Sequence, residues 1–273
     1  MTRSRGVDSR SVGSAAGFAD STLLVLRDVH RSFGGLRAVD GASLDVKAGS
    51  ITALIGPNGA GKTTLFNIIT GFERVDGGQI VFDGQPIAGK PPHITARLGM
   101  IRTFQMTKTL AAMPVIENML LAAPEQPGEH LCNLVIRRRQ CRRREAVIRE
   151  RACELLDSFG LLAKSNEYAG TLSGGQCKLL ELARALMAEP RLVLLDEPMA
   201  GINPTLGRTL LAHMHQLRAT GTTFLFIEHD MDVVMGQADR VIVMALGKVI
   251  ADGTPDMVRS DAQVIDAYLG GKT

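Results

Sequence analysis

The segment GPNGAGKTT, residues 56–64, contains the residues of this sequence that are best suited to bind phosphate. Its small residues let successive backbone N–H groups curl around phosphate oxygens, and the N-terminus of a following helix adds partial positive charge. Lys62 could reach the outer phosphates of a nucleotide, and the Thr63 hydroxyl could coordinate Mg²⁺. A glycine-rich turn with a chance lysine is the alternative, and it does not explain why every fixed position of the pattern is matched. The predicted phosphate-binding residues are Asn58, Gly59, Ala60, Gly61, Lys62, Thr63 and Thr64.

Two carboxylates, Asp196 and Glu197, follow the apolar run RLVLL. Successive residues of a strand point to opposite faces, so the two side chains need separate roles. An Asp at the end of a buried strand beside the phosphate loop suits Mg²⁺, directly or through water. The Glu beside it could polarise an attacking water, and a positioned general base typically contributes about 10²–10⁴-fold. Acidic capping after a buried strand would explain these two residues alone, but not their pairing with a phosphate loop.

The segment LSGGQ, residues 172–176, begins a second helix with unusual residue types. Ser173 and Gln176 fit a capping box with Ser at the N-cap and Gln at N3, and an apolar stripe follows. A well-capped helix therefore explains most of the segment. It does not explain two adjacent glycines, Gly174 and Gly175, because Gly is entropically costly inside a helix. We expect the glycines to leave the helix end bare, so that a ligand can approach its N–H groups.

Alternating strands and helices are expected to position these residues. The run SITALI predicts a buried strand that ends at Gly56, and KTTLFNIIT predicts a helix with Gly71 as its C-cap. After Pro190, strand and helix patterns alternate again, which predicts a mostly parallel α/β sheet. Residues 97–189 read as mainly helical, and we interpret them as an insertion into that sheet.

The composition excludes several classes of protein. A net charge of +3 over 273 residues is too small to imply nucleic-acid binding. The four cysteines show no CxxC and no metal-ligand spacing, which favours a reduced, cytosolic setting. The sequence contains no run of 18 apolar residues, the length that a helix needs to span a bilayer. Residues 1–22 are small and polar with no apolar core, so we expect a disordered lead and not a signal peptide.

Over roughly residues 23–270, the sequence resembles the nucleotide-binding subunits of ABC transporters. The resemblance is carried by GPNGAGKTT, LSGGQ and LVLLDEP, in that order, together with RTFQ and IEHD. The resemblance implies an α/β P-loop (RecA-like) ATPase core with an antiparallel β subdomain and an inserted α-helical subdomain. It implies ATP and Mg²⁺ as cofactors, and two subunits that pair head to tail so that each LSGGQ helix caps the ATP of the other. The implied parts are the core (23–96 and 190–253), the helical signature subdomain (97–189) and a C-terminal helical segment (254–273).

The same resemblance assigns roles to individual residues. Phe33 would stack on adenine, unless it is a core residue at a strand end, and Val39 would flank the base. Gln105 would touch Mg²⁺ and the attacking water, and His229 would contact the γ-phosphate. The implied catalytic residues are Glu197, His229 and Gln105, and the metal ligands are Thr63, Gln105 and Asp196. The residues implied to cap the partner's nucleotide are Ser173, Gly174, Gly175 and Gln176. The segment GINP, residues 201–204, is expected to line the dimer interface.

A finer resemblance is carried by RSFGGLRAV, PMAGINP, FIEHDMDVVM and the ending VIDAYLGG. These are similar to the LivG-type ATPases of bacterial branched-chain amino-acid importers. That branch implies a sister ATPase in a heterodimer, although a homodimer stays open. It also implies membrane permeases, a periplasmic binding protein acting indirectly, no nucleic acid, and a peripheral location on the cytoplasmic face of the inner membrane. Amide and urea importers share much of the pattern.

Two other classes of nucleotide-binding protein agree less well with the sequence. Soluble ABC ATPases of DNA repair or translation usually carry long coiled coils or tandem cassettes, and this chain has one phosphate loop and no long heptad run. A GTPase or small-molecule kinase would leave LSGGQ unexplained, and the sequence has no N-K-x-D motif. The run IRRRQCRRREAVIRER, residues 136–151, could contact anionic lipid or nucleic acid, but we favour a solvated helical face.

Overall fold

The computed structural model describes residues 22–103, 110–124 and 138–269. The strands in these ranges are β1 (Thr22–Phe33), β2 (Leu36–Lys47), β3 (Ile51–Ile55), β4 (Gly77–Phe82), β5 (Gln85–Pro86), β6 (Met100–Arg102), β7 (Leu192–Asp196), β8 (Thr223–Ile227), β9 (Arg240–Ala245) and β10 (Lys248–Gly253). The helices are α1 (Lys62–Thr70), α2 (Pro92–Arg97), α3 (Val115–Leu121), α4 (Arg138–Ser158), α5 (Gly174–Leu186), α6 (Pro204–Ala219), α7 (Met231–Gln237), α8 (Pro255–Arg259) and α9 (Ala262–Leu269).

The larger sheet has six strands in the order β10-β9-β3-β8-β7-β6. Every neighbouring pair is parallel except β10 and β9. All residues of β3, β7 and β8 are buried, as expected for parallel strands that are covered on both faces. On β7, Val193 and Leu195 pack into one core and Leu192 and Leu194 into the other. The predicted mostly parallel α/β sheet is confirmed.

The strand β6 differs from the sequence-based prediction. Its residues pair in parallel with β7, with Met100 opposite Leu192 and Arg102 opposite Leu194. Residues 100–102 therefore lie in the core sheet, and the expectation that the helical insertion begins at residue 97 is wrong for them. Three residues are too few to display a period of two, and a polar Arg at the strand end hides the pattern further.

The smaller sheet is antiparallel, with four strands in the order β2-β1-β4-β5. Its apolar face packs over α1, where Leu65, Phe66 and Ile69 are buried. The helix α1 ends at Thr70, and Gly71 in the left-handed conformation (φ 80°) closes it by donating its N–H to the carbonyl of Ile68. This sheet is the antiparallel subdomain that the resemblance implies, and Gly71 is the predicted C-cap.

The helices α3, α4 and α5 pack on the other face of the large sheet and share its core. Within α4, the side chains of residues 142–151 are exposed apart from Ile148, and Val147 is 62% exposed. This exposure agrees with a solvated face for the described part of the arginine-rich run, whereas Ile136 lies outside the described residues. No helix in the described ranges is long and apolar enough to cross a membrane.

Candidate functional site

A cavity of about 850 Å³ opens where three adjacent parallel strands, β3, β8 and β7, end. The carboxyl ends of these strands are the usual location of ligand sites in open α/β sheets. The predicted site residues that line it are Phe33, Asn58, Gly59, Ala60, Gly61, Lys62, Thr63, Thr64, Glu197 and His229. The fold therefore brings together residues that lie up to nearly 200 positions apart in the sequence.

Two glycines of the phosphate loop cannot be replaced without a clash. Gly56 has φ 147°, and a Cβ at this position would lie 2.0 Å from the carbonyl oxygen of Met244. Gly61 has φ 97°, and a Cβ there would lie 2.2 Å from the carbonyl oxygen of Ala38. The loop is thus wedged between β9 and β2, and glycine at both ends lets the backbone approach its neighbours closely.

Lys62, the first residue of α1, is only 6% exposed. Its Nζ donates to the carbonyl oxygens of Gly56 (2.7 Å) and Pro57 (3.0 Å). Burial lowers the pKa of this ammonium, and the negative charges of Glu197 and Asp196 oppose that shift. The loop therefore holds the ammonium in place over its own backbone, at the wall of the cavity.

Glu197 and His229 follow β7 and β8, and their side chains meet at the cavity. Glu197 Oε1 lies 2.8 Å from His229 Nε2. Glu197 adopts the left-handed conformation (φ 50°), which is unusual for a residue with a side chain. Its N–H donates to the carbonyl of Ile227 (3.0 Å), which extends the β7–β8 ladder by one residue. The imidazole therefore orients the Glu197 carboxylate at the wall of the cavity.

Asp196, the last residue of β7, is buried and does not line the large cavity. Its carboxylate accepts a hydrogen bond from Arg102 Nη2 (2.9 Å), and Arg102 Nη1 donates to Asn67 Oδ1 (2.6 Å). The aspartate is therefore charge-paired within its own chain and held in one orientation. The sequence analysis missed Arg102, although it stands three residues before Gln105.

Phe33 lies at the end of β1 and is 44% exposed on the wall of the cavity. The guanidinium carbon of Arg31 lies 4.7 Å from the centroid of its ring, a cation–π contact that fixes one face. The alternative role, a core phenylalanine at a strand end, is wrong because the ring is not buried. The ring is available to stack on a nucleotide base.

Val39, which was predicted to flank the nucleotide base, does not line the cavity. The side chain of Val39 is fully buried in the core beneath the smaller sheet, and its neighbours Leu36, Arg37 and Ala38 line the cavity instead. Because Val39 has no exposed surface, the structure does not show the predicted contact between its side chain and the base. Gln105 lies outside the described residues.

The LSGGQ segment starts α5 with the predicted capping box. Ser173 Oγ accepts from the N–H of Gln176 (3.3 Å), and Gln176 Oε1 accepts from the N–H of Ser173 (3.0 Å). No atom of the described residues lies within 4 Å of a Cβ built on Gly174, so among them this end of the helix is bare, as expected. Gly175 differs, since its Cβ would lie 2.6 Å from Leu206 Cδ1. The missing side chain of Gly174 therefore leaves open space beside the helix end, whereas the missing side chain of Gly175 permits close packing against Leu206.

None of the four residues 173–176 lines the cavity at the phosphate loop. The loop at residues 201–204 packs beside them: Ile202 faces Gly175, and Asn203 Oδ1 accepts from the N–H of Leu206 (2.8 Å) as the N-cap of α6. The second glycine-rich helix end therefore belongs to a different surface from the first.

The mostly parallel sheet, the glycine-bounded phosphate loop between β3 and α1, and the acidic end of β7 define a P-loop nucleotide-binding domain. The sequence profile of the ABC transporter family matches residues 39–200. The chain belongs to this family of ATP-binding cassettes. A second profile, described as the branched-chain amino acid ATP-binding cassette transporter, matches residues 248–272.

Curated relatives support this placement over most of the chain. A probable branched-chain amino acid transport ATP-binding protein LivG of Archaeoglobus fulgidus is 41% identical over 250 residues, covering 92% of this chain and 96% of the relative. The high-affinity branched-chain amino acid transport ATP-binding protein BraF of Pseudomonas aeruginosa is 43% identical over 239 residues, covering 87% and 94%. The LivG protein of Escherichia coli is 41% identical and covers 91% and 98%.

Solved structures show the same fold. A nucleotide-free ATP-binding cassette from an ABC transporter superposes with a TM-score of 0.78 at 37% identity, covering 91% of this chain and 99% of the other. An ATP-binding cassette of an ABC transporter in its ADP conformation gives a TM-score of 0.77 at 36% identity, covering 92% and 99%. The predicted P-loop ATPase fold is confirmed.

Proposed function

We propose that this chain is the ATP-hydrolysing subunit of an importer for branched-chain amino acids. The named relatives and the profile match at residues 248–272 support the substrate class. The observation that carries the hydrolytic role is the 2.8 Å contact between Glu197 and His229 inside the cavity that contains the phosphate loop. A carboxylate oriented by an imidazole next to a phosphate cradle is the arrangement required to activate water for phosphoryl transfer.

Different residues of the cavity are proposed to bind the phosphates, the base and the metal ion. The backbone of residues 58–64 cradles the phosphates with Lys62, and Phe33 stacks on the base. The donor set suits Mg²⁺, which takes oxygen ligands from one or two protein groups and completes its shell with water and substrate phosphate. The Thr63 hydroxyl is exposed at the cavity, and the Asp196 carboxylate would contribute through water because Arg102 already occupies one of its oxygens. Gln105 remains a predicted third ligand. Bound Mg²⁺ neutralises charge on the phosphate oxygens.

Ser173 to Gln176 are proposed to act on the nucleotide of a second subunit. Their distance from the cavity of their own chain and the open space at Gly174 support this arrangement. The second subunit is proposed to be a sister ATPase or another copy of this chain. The pair would work below membrane permeases on the cytoplasmic face of the inner membrane, with a periplasmic binding protein delivering the solute.

Cells that produce the Glu197→Gln variant in place of the wild-type chain are expected to lose ATP-dependent uptake of labelled leucine, isoleucine and valine. The amide keeps the size of the side chain but cannot accept the proton of the attacking water. Glu167→Gln, at an exposed glutamate paired with Lys164, is the matched control and should leave uptake unchanged. Normal leucine uptake in Glu197→Gln cells, together with loss of another solute, would contradict the proposed substrate.

A further inference from the structure

The loop that follows β7, residues 197–200, is held by a lysine from the signature helix α5. Lys178 Nζ donates to the carbonyl oxygens of Glu197 (3.0 Å), Pro198 (3.3 Å) and Ala200 (2.5 Å). An ammonium has three donors, and these three contacts use all of them. Hydrogen bonds from a charged donor are roughly twice as strong as neutral ones. Lys178 therefore binds this loop more firmly than ordinary helix packing would.

The environment of Lys178 indicates that the contact is built into the fold. The side chain is half-buried, and burial lowers its pKa while the charges of Glu228, Glu181 and Glu197 oppose the shift. A long flexible lysine loses its rotamer freedom in such a position, so its ordering has to be offset by the bonds it makes. The three hydrogen bonds, rather than a free choice of rotamer, therefore fix the direction of the ammonium.

A buried glutamate holds the same loop through one of its backbone N–H groups. Glu228 is 4% exposed, and its carboxylate accepts from the N–H of Met199 (2.7 Å) and the N–H of His229 (3.2 Å). Burial raises the pKa of Glu228, and these two N–H donors oppose that change. Lys178 thus fixes three carbonyl groups of the loop, and Glu228 fixes the N–H group of Met199 in the same loop. Glu197 is the first residue of this loop.

The restraint acts on a residue with a strained backbone. Glu197 has φ 50°, and such a conformation persists in a non-glycine residue when its surroundings determine it. Lys178 binds the carbonyl of Glu197 directly, whereas His229 binds its side chain. The orientation of the carboxylate therefore depends on where α5 places Lys178.

The helix α5 carries both Lys178 and the bare end at Gly174, and Gly175 packs against Ile202 just beyond the loop. A displacement of the helix end must therefore move the ammonium as well. We propose that Lys178 is a positioning residue that couples the signature helix of a chain to Glu197 of the same chain. This inference rests on the proposed function, in which Ser173–Gln176 cap the partner's ATP. Contact between α5 and the partner's nucleotide would then fix the orientation of the Glu197 carboxylate, which acts on the nucleotide in the cavity of its own chain.

The test measures kcat and KM for ATP in the full chain with Lys178→Met, which keeps the apolar stem and removes the three donors. Because a displacement of about 1 Å of a catalytic group can cost about 10²-fold, we expect kcat to fall by about 10-fold or more with KM nearly unchanged. Lys178→Arg retains the charge and should recover much of kcat. Lys164→Met, at a lysine paired with Glu167 on the same subdomain, is the matched control and should behave as the wild type.

A double-mutant cycle separates positioning from a general structural effect. If Lys178 acts through Glu197, adding Lys178→Met to Glu197→Gln should reduce the residual rate no further, because coupled residues are not additive. Losses that multiply, or a fall in ATP affinity equal to the fall in kcat, would overturn the inference. If the Lys178→Met chain unfolds at a lower temperature than the wild type, Lys178→Gln replaces it in this cycle. Gln also removes the charge but changes the polarity of the side chain less.

The outcomes also distinguish this inference from the proposed function. Hydrolysis of ATP by the Glu197→Gln chain at the wild-type rate would contradict the role of Glu197 in the proposed function, and a wild-type chain that neither binds nor hydrolyses ATP would contradict the proposed function itself. A chain that is blocked by Glu197→Gln but keeps its full kcat as Lys178→Met would contradict only the positioning role of Lys178.

Discussion

Replacing Glu197 by Gln is expected to lower kcat for ATP hydrolysis by about 10²–10⁴-fold, the range that a positioned general base contributes. Gln has the same size and can still meet His229, whose Nε2 lies 2.8 Å from Glu197 Oε1. It cannot take the proton of the attacking water. Binding of a fluorescent ATP analogue should stay within a few fold of the wild-type affinity, since Lys62 and the loop at residues 58–64 are unchanged.

If two subunits pair as proposed, the Glu197→Gln chain should also accumulate with ATP as a stable pair, because ATP binding would close the pair and hydrolysis would no longer separate it. Size-exclusion chromatography with and without ATP measures this directly. Glu167→Gln, at an exposed ion pair on the helical part, provides the control for loss of one negative charge. Turnover by Glu197→Gln at the wild-type rate would show that another group activates the water.

The second large effect is expected for Gly174→Asp. Within the part of the chain that the structure describes, no atom lies within 4 Å of a Cβ at residue 174, so the side chain fits there without a clash. An acidic residue in the first turn of a helix is locally favourable, so we expect no loss of thermal stability. The added carboxylate would nevertheless face the phosphates of the partner's nucleotide. Hydrolysis should fall by about 10²-fold or more, the scale of losing one preorganised donor to a developing charge.

Binding of ATP to the isolated Gly174→Asp chain should match the wild type, because residues 173–176 do not line the cavity at the phosphate loop. Ala262→Asp provides the matched control, since it adds the same charge to the first turn of α9 at an exposed position. A Gly174→Asp chain that no longer binds ATP on its own would place the signature segment in the site of its own chain and contradict the arrangement in two subunits.

Local features of this site could be predicted from sequence because their chemistry is contiguous. The phosphate loop, the strand that precedes it and the C-cap at Gly71 each depend on neighbouring residues, and the structure confirms them. The capping box from Ser173 to Gln176 is likewise a pattern of four residues. Phe33 was assigned by resemblance, and its exposure at the cavity agrees with that role.

The features that were missed depend on contacts between distant segments. Arg102 meets Asp196 across 94 residues, and Glu228 meets Met199 across 29. The packing of Gly175 against Leu206 requires the position of α6, which no pattern around LSGGQ reveals. Val39 was assigned by resemblance, and its complete burial depends on packing beneath the smaller sheet that the sequence pattern does not reveal.

The central claim, one hydrolytic site assembled from two subunits, is tested most directly by mixing two inactive chains. Lys62→Ala removes the phosphate-binding cation but leaves the signature helix intact, and Gly174→Asp does the reverse. A mixed pair would contain one complete site, formed by the phosphate loop of the Gly174→Asp chain and the signature helix of the Lys62→Ala chain. With a wild-type chain that hydrolyses ATP in the same buffer, the account predicts that the mixture regains activity well above either variant alone. A mixture as inactive as its components would contradict it.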